Sequence, residues 1–329
     1  MLEDNFGRQH NYLRISLTEQ CNLRCSYCMP AEGVALSPKA HLMTADEIYT
    51  IAQTFVKEGV TKIRLTGGEP LVRKDAEQIL RKLSSLDVPL SITTNAVITD
   101  RFIGLFKALG IKDINVSLDT LNPDRFKTIT RRDYFQRVYD NVFGLLKEGF
   151  NIKLNCVLMK GVNEDEIIDF INLSKHHLIH IRFIEFMPFE GNSWDRSKLV
   201  TYQEIMDRVA LAYEESDVLR IQDRPNDTSK NYQIKNFRGT FAIISTVTNP
   251  FCDSCNRLRL TANGRIKNCL FSATETDLLT PLRNGQAIEP FIQKAVAAKF
   301  KMRGGMDTPE KFQDPTQYEK NRSMITIGG

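Results

Sequence analysis

From Leu13 to about Met187 the chain alternates two apolar periods. Short runs of period two occur at Leu13–Leu17, Lys62–Thr66, Pro89–Thr94, Asp113–Leu118, Ile152–Leu158 and Ile179–Phe186. Between them lie runs of helical period: Thr44–Glu58, Asp75–Ser84, Asp100–Leu109, Tyr134–Glu148 and Glu164–Leu173. Thr44 followed by Glu47 forms a capping box that opens the first helix. Strands alternating with helices predict parallel strands joined by right-handed crossovers. Six such units are too few for an eight-stranded barrel. The expected fold class is α/β: a partial, open (βα)6 TIM-like barrel.

The strand faces say more than the strands themselves. In Lys62-Ile63-Arg64-Leu65-Thr66 the polar residues share one face and the apolar residues the other. Ser91 and Thr93 oppose Ile92; Asn115, Ser117 and Asp119 oppose Val116 and Leu118; Lys153 and Asn155 oppose Ile152 and Leu154. The outer face of a barrel strand packs on helices, so the polar face points inward. A lumen lined this way does not close as a dry core without a heavy desolvation cost. Lys62, Arg64 and Lys153 suggest that it takes an anion. In the last strand Arg182 has the opposite parity from Glu185 and Met187, so placing all three inward requires a bulge.

After about residue 190 the rhythm stops. Thr201–Tyr213 reads as a helix, and Leu219–Arg224, Tyr232–Lys235 and Phe241–Ser245 read as short strands. The expected division is a barrel over 1–190 and a C-terminal α+β region over 191–329, either a small subdomain or a cap. The tail beyond Lys301 is polar without a clear apolar period.

Composition narrows the class. The 329 residues carry 44 basic and 40 acidic side chains, a net charge of +4. That balance does not suggest nucleic-acid binding. No stretch approaches the ~20 apolar residues that span a bilayer. The acidic start lacks a signal-peptide core, and seven unpaired-looking cysteines point to a reducing cytoplasm.

Six of those cysteines form two trios. Cys21, Cys25 and Cys28 have the spacing C-x3-C-x2-C, which puts three thiolates in one loop. Structural zinc wants four ligands, and His10 and His41 are not at knuckle spacing. Three thiolates can instead hold three irons of a cubane cluster, leaving the fourth iron free for a small molecule. Cys252, Cys255 and Cys269 are spaced C-x2-C-x13-C. No fourth ligand follows, since all five histidines precede residue 181. A second open cluster or a zinc site completed by a distant residue both satisfy that pattern. Cys156 lies on the apolar parity of a strand and reads as core. Arg257 and Arg259 share a face beside the second trio, and arginine forks suit phosphate or a purine edge.

The first trio, with Tyr27 just before its last cysteine, resembles the cluster loop of radical S-adenosylmethionine (AdoMet) enzymes. Thr66-Gly67-Gly68-Glu69-Pro70, one βα unit later, resembles their AdoMet-binding turn. Over nearly its full length the chain resembles the GTP 3′,8-cyclase family of molybdenum cofactor biosynthesis. That resemblance rests on Phe6-Gly7-Arg8, Leu13–Thr18, both trios, Asn115–Asp119, Ile181–Met187, Arg257-Leu258-Arg259 and the final Gly328-Gly329. It implies two 4Fe–4S clusters, AdoMet bound by Tyr27, Gly68, Ser117 and Met187, and GTP bound by Arg14, Lys62, Arg64, Thr93, Lys153, Arg182, Arg257 and Arg259. Arg14, Arg257 and Arg259 would serve the later chemical stage, and the tail would reach into the site. The resemblance further implies a flavodoxin-like electron donor, a homodimer, and a cyclic pyranopterin monophosphate synthase downstream.

Overall fold

The computed structural model describes residues 1–30 and 32–328. Six parallel strands lie in sequence order: β1 (Tyr12–Ser16), β2 (Lys62–Thr66), β3 (Leu90–Thr94), β4 (Asp113–Ser117), β5 (Asn151–Leu158) and β6 (Ile179–Glu185). Their outward residues Leu13, Ile63, Ile92, Ile114, Leu154 and Phe183 are fully buried. They pack under α1 (Ala45–Lys57), α2 (Ala76–Leu83), α3 (Ile103–Ala108), α4 (Pro123–Thr130), α5 (Phe135–Lys147) and α6 (Ile167–His176). The Thr44 cap forms as its sequence predicts. Its side chain accepts from the Glu47 amide, and Glu47 accepts from the Thr44 amide.

The later strands form no separate sheet. After α7 (Tyr202–Ala212) come β7 (Val218–Ile221), β8 (Lys230–Ile234), β9 (Thr240–Ile244), β10 (Arg257–Leu260), β11 (Arg265–Lys267) and β12 (Thr276–Asp277). β9 pairs in parallel with β6, and β10 pairs in parallel with β1. Eight parallel strands therefore run β10-β1-β2-β3-β4-β5-β6-β9, and antiparallel β11-β12 and β8-β7 finish the two edges. Residues 245–256 lead from the C-terminal end of one flank to the N-terminal start of the other. Glu185 anchors their beginning: its buried carboxylate accepts from the Val247 amide at 2.7 Å, the Thr248 amide at 3.1 Å and the Thr248 hydroxyl.

β6 needs no bulge. The strand ends at Glu185, so Met187 lies beyond its alternation. Arg182 pairs in register with Asn155 and shares its inward face.

The chain closes with α8 (Leu279–Arg283), α9 (Glu289–Ala297), α10 (Pro309–Gln313), α11 (Pro315–Tyr318) and α12 (Met324–Ile327). The last three are one-turn pieces, too short to show an apolar period. Even so, Phe312, Tyr318 and Ile327 are buried in a second core with Phe186, Phe189, Trp194 and Phe271. The Trp194 and Tyr318 rings meet edge to face at 6.4 Å.

Candidate active site

The first cysteine loop follows β1 and is held from below by the turn after β2. Gly68 donates its amide to the Thr18 carbonyl, and the Glu69 amide donates to the Gln20 carbonyl, both at 2.8 Å. A Cβ at Gly68 would stand 2.4 Å from the Gln20 oxygen, and one at Gly67 2.7 Å from the Thr18 oxygen. The two glycines thus serve first to bring one backbone against another, immediately before Cys21. Glu69 is completely buried. It accepts from the Leu71 and Asn95 amides and the Thr94 hydroxyl. Burial still pushes its carboxyl up to about 7.

Above this turn opens a cavity with about 1270 Å³ of free space, part of it continuous with solvent. Cys21, Cys25 and Cys28 line one side; Tyr27, Gly68, Ser117 and Met187, the four residues expected to bind AdoMet, line it too. Thr93, expected among the GTP contacts, stands on the same wall. Two further polar residues complete the frame: Asp119, on the inward parity of Asn115 and Ser117, and Asn95, which motif reading missed. Asp119 accepts from the Tyr27 hydroxyl at 2.8 Å and from the Val157 amide at 2.9 Å. Asn95 donates to Asn22 at 2.6 Å and reaches the Cys21 sulfur at 3.7 Å. The signal for Asn95 was positional, since it directly follows the polar end of β3, whereas Asp119 stands two residues beyond the end of β4. Burial pushes the thiols up, Cys21 to about 11, Cys28 to about 12, and Cys25 well above its usual range. The Asp119 carboxylate and the neighbouring thiols add to the shift at Cys25. Thiols in such a place stay protonated unless a positive group replaces the proton.

Below the cavity, the inward residues form a basic lumen. Register places Arg259, Arg14, Arg64 and Ser91 in one row across four strands, with Arg257, Tyr12 and Lys62 in the row beneath. Arg64 donates to the Ser91 hydroxyl at 3.2 Å. Lys153 stands beside His180 in the register of β5 and β6, one row from Arg182. Among the described residues none of these seven cations is ion-paired, and Arg14 Nε, Arg182 Nε and Arg257 Nη2 are buried without hydrogen-bond partners. The electrostatic consequence is direct. Burial, and then repulsion from neighbouring arginines, holds Lys153 near 8, Arg64 and Arg182 near 10, and Arg259 well below its usual range. Tyr12, and after it Asp227 and Asp113, relieve only part of this. Such a cluster calls for an anionic ligand.

The second trio sits against the same lumen, Cys252 and Cys255 on the segment leading into β10 and Cys269 just after β11. Cys252 accepts from the Arg303 amide at 3.4 Å, and Cys255 from Lys299 at 3.6 Å. Burial would raise the Cys255 thiol, but Lys299 and Arg257 overcome it and bring it down to about 6. The settings of the two trios differ, the first apolar and faced by a carboxylate, the second flanked by cations that lower Cys255 while burial still raises Cys252. Among the described residues no three His, Cys, Asp or Glu side chains converge on a point as they would around one ion. Thiolates that each take a different iron of a cubane have no need to converge, and a trio leaves one iron open. Both donor sets fit that group.

The C-terminal tail enters from the cavity side. Met324 and Ile325 line the cavity. Gly328 adopts φ +89°, and a Cβ there would meet Thr66 Oγ1 at 2.7 Å and Ser16 Cβ at 2.8 Å. Arg259 donates to the Gly328 carbonyl. Gly329 lies outside the described residues. Cys156 is fully buried among apolar neighbours, as its parity predicts.

This arrangement, a three-cysteine loop at the mouth of an open parallel barrel, defines a class. Residues 15–174 match the family described as the Radical SAM superfamily, and residues 179–304 match Molybdenum Cofactor Synthesis C. The SuiB structure from Streptococcus suis bound to S-adenosylmethionine shares the fold, with a TM-score of 0.62 at 15% identity over 97% of this chain and 77% of that one. More specifically, the chain belongs to the GTP 3′,8-cyclase family. It is 47% identical to the mitochondrial GTP 3′,8-cyclase of Arabidopsis thaliana, over 100% of this chain and 84% of that protein. It is 42% identical to the GTP 3′,8-cyclase of Listeria welshimeri, over 100% of this chain and 99% of that one. It is 44% identical to molybdenum cofactor biosynthesis protein 1 of Homo sapiens over 99% of this chain, and spans about half (51%) of that longer protein.

Proposed function

We propose that this chain is a radical AdoMet enzyme that converts GTP to 3′,8-cyclo-7,8-dihydro-GTP, the first step of molybdenum cofactor biosynthesis. The observation that carries the reading is the unpaired cation cluster in the lumen, set between two cysteine trios and below a cavity framed by the AdoMet-type turn. Cys21, Cys25 and Cys28 would hold one 4Fe–4S cluster, and Cys252, Cys255 and Cys269 the other. When bound, the first cluster supplies the electron that splits AdoMet to a 5′-deoxyadenosyl radical, which starts C3′–C8 bond formation in GTP by removing the ribose 3′ hydrogen.

The chain's own residues bind, orient and exclude water. Tyr27, Gly68, Ser117 and Met187 would hold AdoMet in the cavity. Lys62, Arg64, Lys153 and Arg182 would neutralise the triphosphate, with Thr93 at the junction of cavity and lumen. Arg14, Arg257 and Arg259 would hold the nucleotide against the second trio and steady charge in the later stage. The tail and its apolar core keep bulk water from the radical. Each GTP converted takes up two electrons, one to split AdoMet and one, with a proton, to finish the dihydro product, so a low-potential donor of flavodoxin type is needed. A cyclic pyranopterin monophosphate synthase taking the product and a homodimeric state complete the reading. We place the activity in a reducing compartment, the cytoplasm; among the described residues no helix is long and apolar enough to cross a membrane.

The test is anaerobic incubation of reduced, cluster-reconstituted protein with AdoMet and GTP. Formation of the cyclic nucleotide with GTP-dependent AdoMet cleavage is expected. Cleavage indifferent to GTP, with no cyclic product, would overturn the proposal.

A further inference from the structure

We infer that Tyr12 is a substrate-contacting residue of the lumen, its hydroxyl donating a hydrogen bond to the phosphate chain of a nucleoside triphosphate while its ring spaces the cations that grip the same chain. The inference rests on the function proposed above.

Tyr12 opens β1 and lies in register between Arg257 of β10 and Lys62 of β2. Three cations surround its ring. The Lys62 ammonium is 5.5 Å from the centroid, and the Arg14 and Arg64 guanidinium carbons are at 5.7 and 5.5 Å. An aromatic face attracts a cation at this range, so the ring offsets part of the repulsion between the three and fixes their separation. The hydroxyl differs from the ring. It is buried and has no hydrogen-bond partner. Buried polar groups are nearly always paired, so an orphan aimed into a lumen calls for an explanation.

The chemistry of the neighbours names the missing partner. Lys62, Arg14, Arg64 and Arg257 carry only donors, so none can take the phenolic proton. An acceptor must come from a ligand, and the ligand that these cations draw in is an anion. Phosphate oxygens accept without donating, which suits cations and hydroxyl together. Burial would raise the phenol, but Arg14, Arg64, Lys62 and Arg257 bring it below its usual range, which makes it a stronger donor to an anion.

The experiment uses the cluster-reconstituted protein without AdoMet and measures equilibrium binding of GTP and of guanosine under anaerobic conditions. Tyr12→Phe keeps the ring and removes the donor. It should weaken GTP about tenfold, leave guanosine unchanged, and keep the wild-type iron content. Tyr12→Leu, which also removes the ring, should weaken GTP further. Wild-type GTP affinity in Tyr12→Phe would overturn the inference, as would an equal loss for guanosine, which would put the hydroxyl on the nucleoside. Failure of the wild-type chain to bind GTP would overturn the proposed function itself, and this inference with it.

Discussion

Arg259 donates a hydrogen bond to the Gly328 carbonyl and so joins a barrel strand to the last turn of the chain inside the lumen. Gly328 can be there only without a side chain, because Thr66 and Ser16 fill the space a Cβ would need and φ is +89°. Gly328→Ala should push the tail off Arg259 while leaving both clusters in place. Displacement of about an ångström at an active site costs up to roughly 100-fold. Turnover should therefore fall by about that factor with iron content unchanged, as steady-state product formation and iron analysis will show.

Arg257 and Arg259 face the lumen from β10, and Arg257 also lies against Cys255 and lowers its thiol without being one of the cysteine donors. Arg257→Ala and Arg259→Ala should retain both clusters and AdoMet binding and lose cyclic product. Arg259→Lys should recover little, because an ammonium cannot replace a two-pronged fork. Unchanged product formation in either alanine variant would discredit the assigned role.

Gly68→Ala sets a methyl 2.4 Å from the Gln20 oxygen, and the clash is with backbone rather than a movable side chain. The first cysteine loop must shift, and the second trio, on a distant segment, need not. Anaerobic reconstitution should deliver about four irons instead of about eight, with the circular dichroism spectrum preserved. Retention of the full iron complement would show that the loop tolerates the displacement.

Much of this site could be read from the sequence, and the failures have physical causes. Strand parity sent Lys62, Arg64 and Lys153 inward because each lies within a strand, where alternation is strict. Arg182 looked ambiguous because Glu185 and Met187 were expected inward with it; Glu185 keeps the opposite parity and turns to the Val247 and Thr248 amides, and Met187 lies two residues beyond the strand's end. Tyr12 escaped notice because the first apolar residue, Leu13, marked the expected start of β1. The tail was illegible since Phe312, Tyr318 and Ile327 sit on one-turn helices, where no period can develop. Pairing of β9 with β6 and β10 with β1 is a long-range choice that no local pattern encodes.

Acid should loosen the N-terminal arm. Burial first, then Lys299, holds His10 down to about 4, and hydrogen bonds from His10, Phe6 and Arg8 outweigh burial to hold Asp4 at about 2. The folded state thus takes up protons less readily than the unfolded chain at both groups. The His10 contribution is full above about pH 6.5 and disappears as pH falls through 4; the Asp4 contribution is full above about 3.8 and fades toward 2. For His10 the amount is on the order of 3 kcal/mol at most. Arg8, paired with Asp4 at 2.7 Å, also donates to the carbonyls of Cys252, Phe300 and Lys301, so loss of the arm would expose the second trio. Denaturant unfolding between pH 7 and 4 should show a steeper loss for the wild type than for His10→Gln. Equal slopes would rule out this linkage.

The late strands on both flanks bear on how the protein is made. A nascent chain that has emerged only through β6 presents two raw edges, with β1 and β6 each lacking a hydrogen-bonding neighbour, around an interior full of uncompensated positive charge. Exposed edges of that kind invite pairing with other chains. Synthesis must therefore run past residue 244 to seal the β6 flank and past residue 260 to seal the β1 flank, and a ribosome that stalls earlier would release a product prone to aggregate.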